Sequence, residues 1–508
     1  MSDNTAVPVV QVQALKVSGS QVEQDITPWK VEGAIVDGVQ QAIDYEKLTA
    51  SFGTRMITAE LLERFTKVTG HAPHLYLRRG IFFSHRDLEG ILDRHETGKP
   101  FYLYTGRGPS RGHMHWLQDV FDVPLVVQLT DDEKFLFKDG LTLAQTHEYA
   151  INTVREIAAI GFQPEKTFIF SNLDYMGGAF YRNVLEISRS INYNTAKAVF
   201  GFDGSTNIGR IQFPSVQAAP ALCSTFPSIF GARKDIPCLI PCGIDQDPYF
   251  RVTRDIAQKL KHKKPALIHT RFLPALQGAT SKMSSSIDSS AIFMSDTQAQ
   301  IKNKINRYAF SGGQTSLEEH RRLGGNVEVD VPFQYLRYFV EDDQEIELLA
   351  EGYTKGEIAS GEMKARCIKV LQEFVSDFQA CEKAVTTEQV NQFMDPDFPR
   401  PFASLSKNLV TAFRVLEGLG AGERLALLEH VQVVLARRHV VAGALEAASE
   451  CLGVGVAAAS KLALLLLIIG GLLDGSRSRL GSGSIAATTK ETTDSVGLQL
   501  KSKVIQLS

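Results

Sequence analysis

From Pro100 onward, short apolar runs recur at separations that a helical return can fill: Phe101-Tyr-Leu-Tyr-Thr105, Pro124-Leu-Val-Val-Gln-Leu129, Lys166-Thr-Phe-Ile-Phe170 and Cys238-Leu-Ile-Pro-Cys242. Runs that are apolar at successive positions suit strands buried on both faces. The stretches between them, such as residues 142–160, are amphipathic with helical spacing. This alternation predicts βαβ units and an α/β fold built on a parallel sheet.

The flanks read differently, and 508 residues give room for about three domains. Trp29-Lys-Val-Glu-Gly-Ala-Ile-Val36 is strand-like. It is followed by apolar residues at helical spacing (Leu48, Phe52, Ile57, Leu61, Leu62, Phe65, Val68), which predicts an α+β extension over 1–93 ahead of a sheet domain over 94–295. Charged helix formers dominate 296–394, predicting a helical domain. Residues 395–508 change again, to a tail rich in Ala, Leu, Val and Gly with a Ser, Thr and Gly rich end. Its uncharged run over 462–473 is too short to span a bilayer, so no membrane partner is expected.

The balance of 54 basic against 57 acidic residues excludes a polycation and bulk disorder, yet leaves room for a local basic face that binds nucleic acid. Six scattered cysteines without a C-x-x-C pair predict neither a disulfide frame nor a structural zinc. The first 26 residues lack Arg and a continuous apolar segment, so a cytoplasmic address is expected.

Three stretches hold candidate chemistry. Tyr104-Thr-Gly-Arg-Gly-Pro-Ser110 follows a predicted strand and precedes a possible helix. Such a turn can offer backbone N–H groups to an anion, with Arg107 as a charged donor, although its glycines would equally serve a tight turn. Ser281-Lys-Met-Ser-Ser-Ser286 is a small-residue loop that could swing an ammonium onto phosphate oxygens, or be a solvated linker. Lastly, Gln128, Glu133, Lys134, Gln217 and Gln246 would fall beyond the carboxyl ends of strands, where doubly wound sheets bind ligands. Taken singly, residues 131–133 also suit the start of a helix, and the glutamines suit a surface.

Together, Tyr104-Thr-Gly-Arg-Gly-Pro-Ser110, Thr130-Asp-Asp-Glu-Lys134, Ile244-Asp-Gln-Asp-Pro-Tyr-Phe250 and Lys282-Met-Ser-Ser-Ser286 resemble the eukaryotic-type cytosolic tryptophanyl-tRNA synthetases, class I aminoacyl-tRNA synthetases. The resemblance runs in order over about residues 44–394. It includes Leu77-Arg-Arg-Gly-Ile-Phe-Phe-Ser-His-Arg86 and Phe310-Ser-Gly-Gly313, while 404–508 has no counterpart. It implies a Rossmann-type catalytic domain, a helical anticodon-binding domain and a homodimer. It also implies ATP with Mg²⁺, L-tryptophan and tRNA(Trp) as reactants, and no resident metal. By the same resemblance, Tyr104 and Gln128 would meet the indole N–H, and Glu133, Gln217 and Gln246 the ammonium end, with Phe250 lining the pocket. Arg107, Lys134 and Lys282 would contact phosphate, supported by Ser284. Gly108, His115 and Met283 would complete the ATP seat.

One segment departs from the family pattern, in which the Gly-Pro-Ser turn leads into Met-His-x-Gly-His at the head of a long helix against the ATP. Here Arg111-Gly-His-Met-His115 runs straight into Trp116-Leu-Gln-Asp-Val-Phe121. The second Gly-His and roughly three helical turns are missing. A strand over 101–105 would span about 17 Å, against some 13–14 Å for a helix over 113–121, so the crossover is barely long enough. The expectation is a scaffold that forms with an impaired ATP seat. The alternative to a working ligase is a splice or gene-model variant that acts only as a tRNA or protein binder.

Overall fold

The structure, a computed structural model, describes residues 23–29, 31–36, 39–106, 111–282 and 287–400. The large sheet has seven strands: β1 (Arg55–Met56), β2 (Phe82–Arg86), β3 (Tyr102–Thr105), β4 (Leu125–Leu129), β5 (Thr167–Ser171), β6 (Cys238–Gly243) and β7 (Ala266–Thr270). Their spatial order is β1-β2-β7-β6-β3-β4-β5. The five strands from β7 to β5 are parallel, with Leu239 opposite both Ala266 and Leu103, Tyr104 opposite Val126, and Gln128 opposite Phe170. All five residues of β4 and of β5 are buried, the two-sided burial that their unbroken apolar runs predict.

The sheet is mixed rather than wholly parallel, because β2 pairs antiparallel with β7, and β1 with β2. Both strands come from the segment expected to form a separate α+β extension, so hydrogen bonding runs across residue 93. The run Phe82-Phe-Ser-His85 is buried throughout, its polar members included, and fits only inside a layered core. The strand-like run over 29–36 is also broken. Val31–Glu32 and Ile35–Val36 are separate strands, and Glu32 pairs with Ser281 on the strand Gly278–Lys282. The extension thus reaches the chain that leads into the lysine loop.

Helices α1 (Arg111–Phe121), α2 (Asp131–Phe137), α3 (Leu143–Ala158), α4 (Ile208–Ala218) and α5 (Asp247–Ala257) return the chain between strands. The crossover from β3 to β4 closes with the eleven residues of α1. Met114, Leu117, Val120 and Phe121 recur on one face and are buried, with Phe65 stacked on Trp116 at 5.5 Å. The Thr142 hydroxyl accepts the Gln145 N–H and the Gln145 side chain accepts the Thr142 N–H, a capping box that starts α3. From β3 the chain moves one way across the sheet, and from β6 the other. The crevice between their carboxyl ends is therefore the switch point at which such sheets bind ligands.

Beyond the sheet, α6 (Gln298–Tyr308), α7 (Val331–Phe339), α8 (Asp343–Thr354) and α9 (Ser360–Ala384) enclose a second core, around Ile301, Ile305, Phe333, Leu336, Tyr353 and Met363. Arg78 and Arg79 both bind the Asp343 carboxylate at 2.6 Å. The Arg-Arg-Gly motif thereby ties this bundle to β2. The chain then comes back: Val390 and Phe393 of α10 (Thr387–Met394) join the core of the sheet. Arg400 donates to the carbonyls of Thr167, Gln392 and Phe393 and lies over the Phe168 ring at 4.8 Å.

Candidate active site at the carboxyl ends of the sheet

Tyr104 of β3 lies opposite Val126, and Gln128 stands two residues further along β4 on the same face, since side chains alternate along a strand. The register therefore puts both side chains on one face of the sheet, near the carboxyl ends of the two strands. The Tyr104 hydroxyl donates to Gln128 Oε1 at 2.6 Å and accepts from Gln217 Nε2 of α4 at 3.0 Å. All three side chains are buried, and burial holds the Tyr104 phenol well above its ordinary pKa. Gln128 Nε2 donates to Asn172 Oδ1 at 2.9 Å, and Asn172 Nδ2 to Asp132 Oδ1 at 2.7 Å. Asn172 and Asp132 were not anticipated from sequence. Asn172 follows β5 by one residue, a position its neighbours do not single out.

Next to this chain, residues 131–133 do start a helix, α2, with three acids in its first turn where the dipole favours them. Glu133 still faces the rim. Burial raises its carboxyl from 4.5 to about 7, assisted by Asp132 and Asp245 and opposed by the Thr130 hydroxyl, which donates to Oε2 at 2.7 Å. Burial likewise raises Asp132 to about 6. Lys134, on the same helix, lies over the Tyr149 ring of α3 at 5.7 Å.

The opposite wall follows β6. Gln246 closes the turn Ile244–Gln246 and is half-buried, and the Phe250 ring in α5 meets Tyr104 edge-on at 5.8 Å. Beneath it, Arg86 binds Asp247 through two bonds of 2.7 and 2.9 Å, and His269 approaches within 3.1 Å. Burial alone would raise the Asp247 carboxyl, but hydrogen bonds from His269 and Arg86 outweigh it and hold it at about 2. Trp29 from the N-terminal extension stacks on Phe137 at the end of α2 at 5.2 Å and meets Tyr249 edge-on at 6.1 Å. Sequence spacing gave no signal for either feature, since each joins residues far apart in the chain.

The fold thus brings Tyr104, Gln128, Gln217 and Phe250 into contact with Glu133 beside them, and places Gln246 in the turn that follows β6. Arg107, Gly108, Met283 and Ser284 lie outside the described residues, as does the Lys282 side chain, although its backbone ends the strand Gly278–Lys282. His115 does not reach the rim. Its ring bonds the Gly161 carbonyl at 3.1 Å and packs on Phe162 at 5.2 Å, in the connection that leads from α3 to the amino end of β5. One turn on, Gln118 bonds the Lys166 carbonyl and the Thr167 hydroxyl at the foot of β5.

Residues 132–376 match the family model for tRNA synthetases class I (W and Y). Over 384 residues, 73% of this chain and 97% of the relative, the sequence is 59% identical to the cytoplasmic tryptophan–tRNA ligase of Schizosaccharomyces pombe. Among solved structures, the tryptophanyl-tRNA synthetase of Plasmodium falciparum is 46% identical, with a TM-score of 0.66 over 70% of this chain and 99% of that one. That of Encephalitozoon cuniculi, bound to tryptophan, is 43% identical, with a TM-score of 0.65 over 71% and 99%. The Rossmann-like core, N-terminal extension and C-terminal helical bundle are those of a class I aminoacyl-tRNA synthetase. Within that class, the chain belongs to the tryptophanyl-tRNA synthetases.

Proposed function

We infer that the chain is a tryptophan–tRNA ligase. The carboxylate of L-tryptophan attacks the α-phosphate of ATP, giving tryptophanyl-adenylate and releasing pyrophosphate. A terminal ribose hydroxyl of tRNA(Trp) then attacks the acyl carbon, and AMP leaves. The observation that bears most weight is the buried Tyr104–Gln128 pair, a phenol oxygen and an amide oxygen joined by a 2.6 Å bond, which supports a partner for an indole N–H. Glu133, ionised, is the partner for the substrate ammonium, flanked by Gln217 and Gln246, while Phe250 packs on the tyrosine that meets the ring. A site built around one such polar contact rejects rings that lack it.

Neither step needs a covalent enzyme intermediate, so positioning and charge stabilisation do the work. Arg107, Gly108, Lys134, Lys282, Met283 and Ser284 form the phosphate side of this reading. Among the described residues no group of three or more His, Cys, Asp or Glu side chains is arranged to hold a metal, and Mg²⁺ would arrive on the phosphate oxygens of ATP. The bundle of α6–α9 within 296–394 would read the anticodon, in a homodimer with a cytoplasmic address. No described helix is long and apolar enough to cross a membrane. Tryptophan-dependent ATP–pyrophosphate exchange tests the reading, and its absence would refute it. The placement of His115 favours a second reading, in which the shortened α1 leaves the ATP seat weak and the chain acts mainly by binding. Calorimetric titration separates the two, because saturation by ATP at low-millimolar or tighter concentration removes the second.

A further inference from the structure

The polar floor of the crevice has a direction, and that direction starts at one carboxylate. Asp132 Oδ1 accepts two bonds, from Asn172 Nδ2 at 2.7 Å and from the Glu133 backbone N–H at 2.8 Å. An ionised carboxylate can only accept, so Asn172 must present its NH₂ to Asp132 and its carbonyl oxygen to Gln128. Gln128 in turn must present its NH₂ to Asn172, at 2.9 Å, which leaves Oε1 facing Tyr104. The Tyr104 hydroxyl places its single proton between Gln128 Oε1 at 2.6 Å and the Gln217 backbone carbonyl at 2.9 Å and accepts from Gln217 Nε2, so Gln128 Oε1 is the acceptor left with a lone pair for a ligand N–H. The Val216 carbonyl, 3.4 Å from Gln128 Nε2, favours the same orientation, and were the two amides reversed the Gln128 NH₂ would take the place beside Tyr104 and repel a ligand N–H. Asn172 and Gln128 are fully buried, so water cannot rescue a reversed arrangement.

We propose that Asn172 and Asp132 are positioning residues for side-chain specificity: they touch no substrate, but fix the amide of Gln128 so that the crevice accepts an indole N–H. The same Asp132 oxygen holds the backbone of Glu133, so one group sets both the ring end and the ammonium end of the pocket. The proposal rests on the tryptophan reading of the site and adds the origin of its polarity.

The test compares the full chain with Asn172→Leu and Asp132→Ala, measuring binding of L-tryptophan and of 3-benzothienyl-L-alanine, a near-isostere without the N–H, by calorimetry. The wild type should prefer tryptophan by about 100-fold, the scale set by one buried polar group left without a partner. Asn172→Leu should bring that ratio below about 10-fold while binding of the benzothienyl compound changes by less than about 3-fold, whereas Asp132→Ala, which also frees the Glu133 backbone, should lower the ratio as far while weakening both ligands. A merely structural role would weaken both ligands equally and leave the ratio intact. An undiminished ratio in either folded variant overturns the proposal but not the tryptophan reading. A wild type that binds neither amino acid overturns the reading itself and the proposal with it.

Discussion

Glu133 sets the proton chemistry of the rim. Only its ionised form can pair with a substrate ammonium, and burial places its titration at about 7. Tryptophan affinity should therefore rise roughly 10-fold between pH 6 and 8, while Glu133→Gln binds more weakly and without that slope; a flat wild-type profile in calorimetry would contradict the assignment. Stability runs the other way. The folded chain holds this proton more tightly than the unfolded one, so the contribution is present below 4.5 and is lost as pH rises through about 7. On the phosphate side, Lys282→Ala should slow pyrophosphate exchange by about 10²-fold and spare tryptophan affinity. An unchanged rate would remove Lys282 from the mechanism.

Helix α1 shows what a shortened element does to its neighbours. His113 is fully buried between His74, Tyr76, Phe82 and Trp116, and neither ring nitrogen has a hydrogen-bond partner among the described residues. Burial, and then His74, hold its pKa well below 6.5. The folded state resists the proton that the unfolded state accepts, so stability is lost as pH falls below about 6.5. His113→Phe should melt higher than the wild type, and the gap should widen from pH 7 to pH 5; equal melting temperatures would mean the imidazole has a partner. Much of this level was legible in the sequence: the runs at 101–105, 124–129, 166–170 and 238–242 become β3, β4, β5 and β6, and Tyr104, Gln128, Glu133 and Gln246 fall at or just beyond their carboxyl ends, whereas Gln217, expected on the same rim, falls near the end of helix α4 and reaches Tyr104 from there. The antiparallel β2 was not legible, because a buried Phe-Phe-Ser-His segment has no period and its partner lies some 180 residues away. Nor were Asn172 and Asp132, which are linked to Gln128 only by tertiary contacts, Asn172 directly and Asp132 through Asn172. For His115, matching a motif fixes its place in the sequence but not its contacts, and its ring lies on the Gly161 carbonyl.

At the scale of the molecule, two devices join the bundle to the sheet: Arg78 and Arg79 on Asp343, and the return of α10 to β5, closed by Arg400. Truncation after residue 402 keeps Arg400 and should leave tryptophan affinity unchanged. Truncation after 394 removes it and should lower the melting temperature; a large loss of affinity on the first cut would make the tail part of the domain. Between them the two cores place the crevice, the lysine strand and the bundle in one unit of the chain, residues 1–400. The activity of that unit is tested most directly by tryptophan-dependent ATP–pyrophosphate exchange on this chain, beside a version with three turns restored to α1. The ligase account predicts exchange from both, faster in the restored version. Exchange from the restored version alone would contradict it and leave this chain a binder.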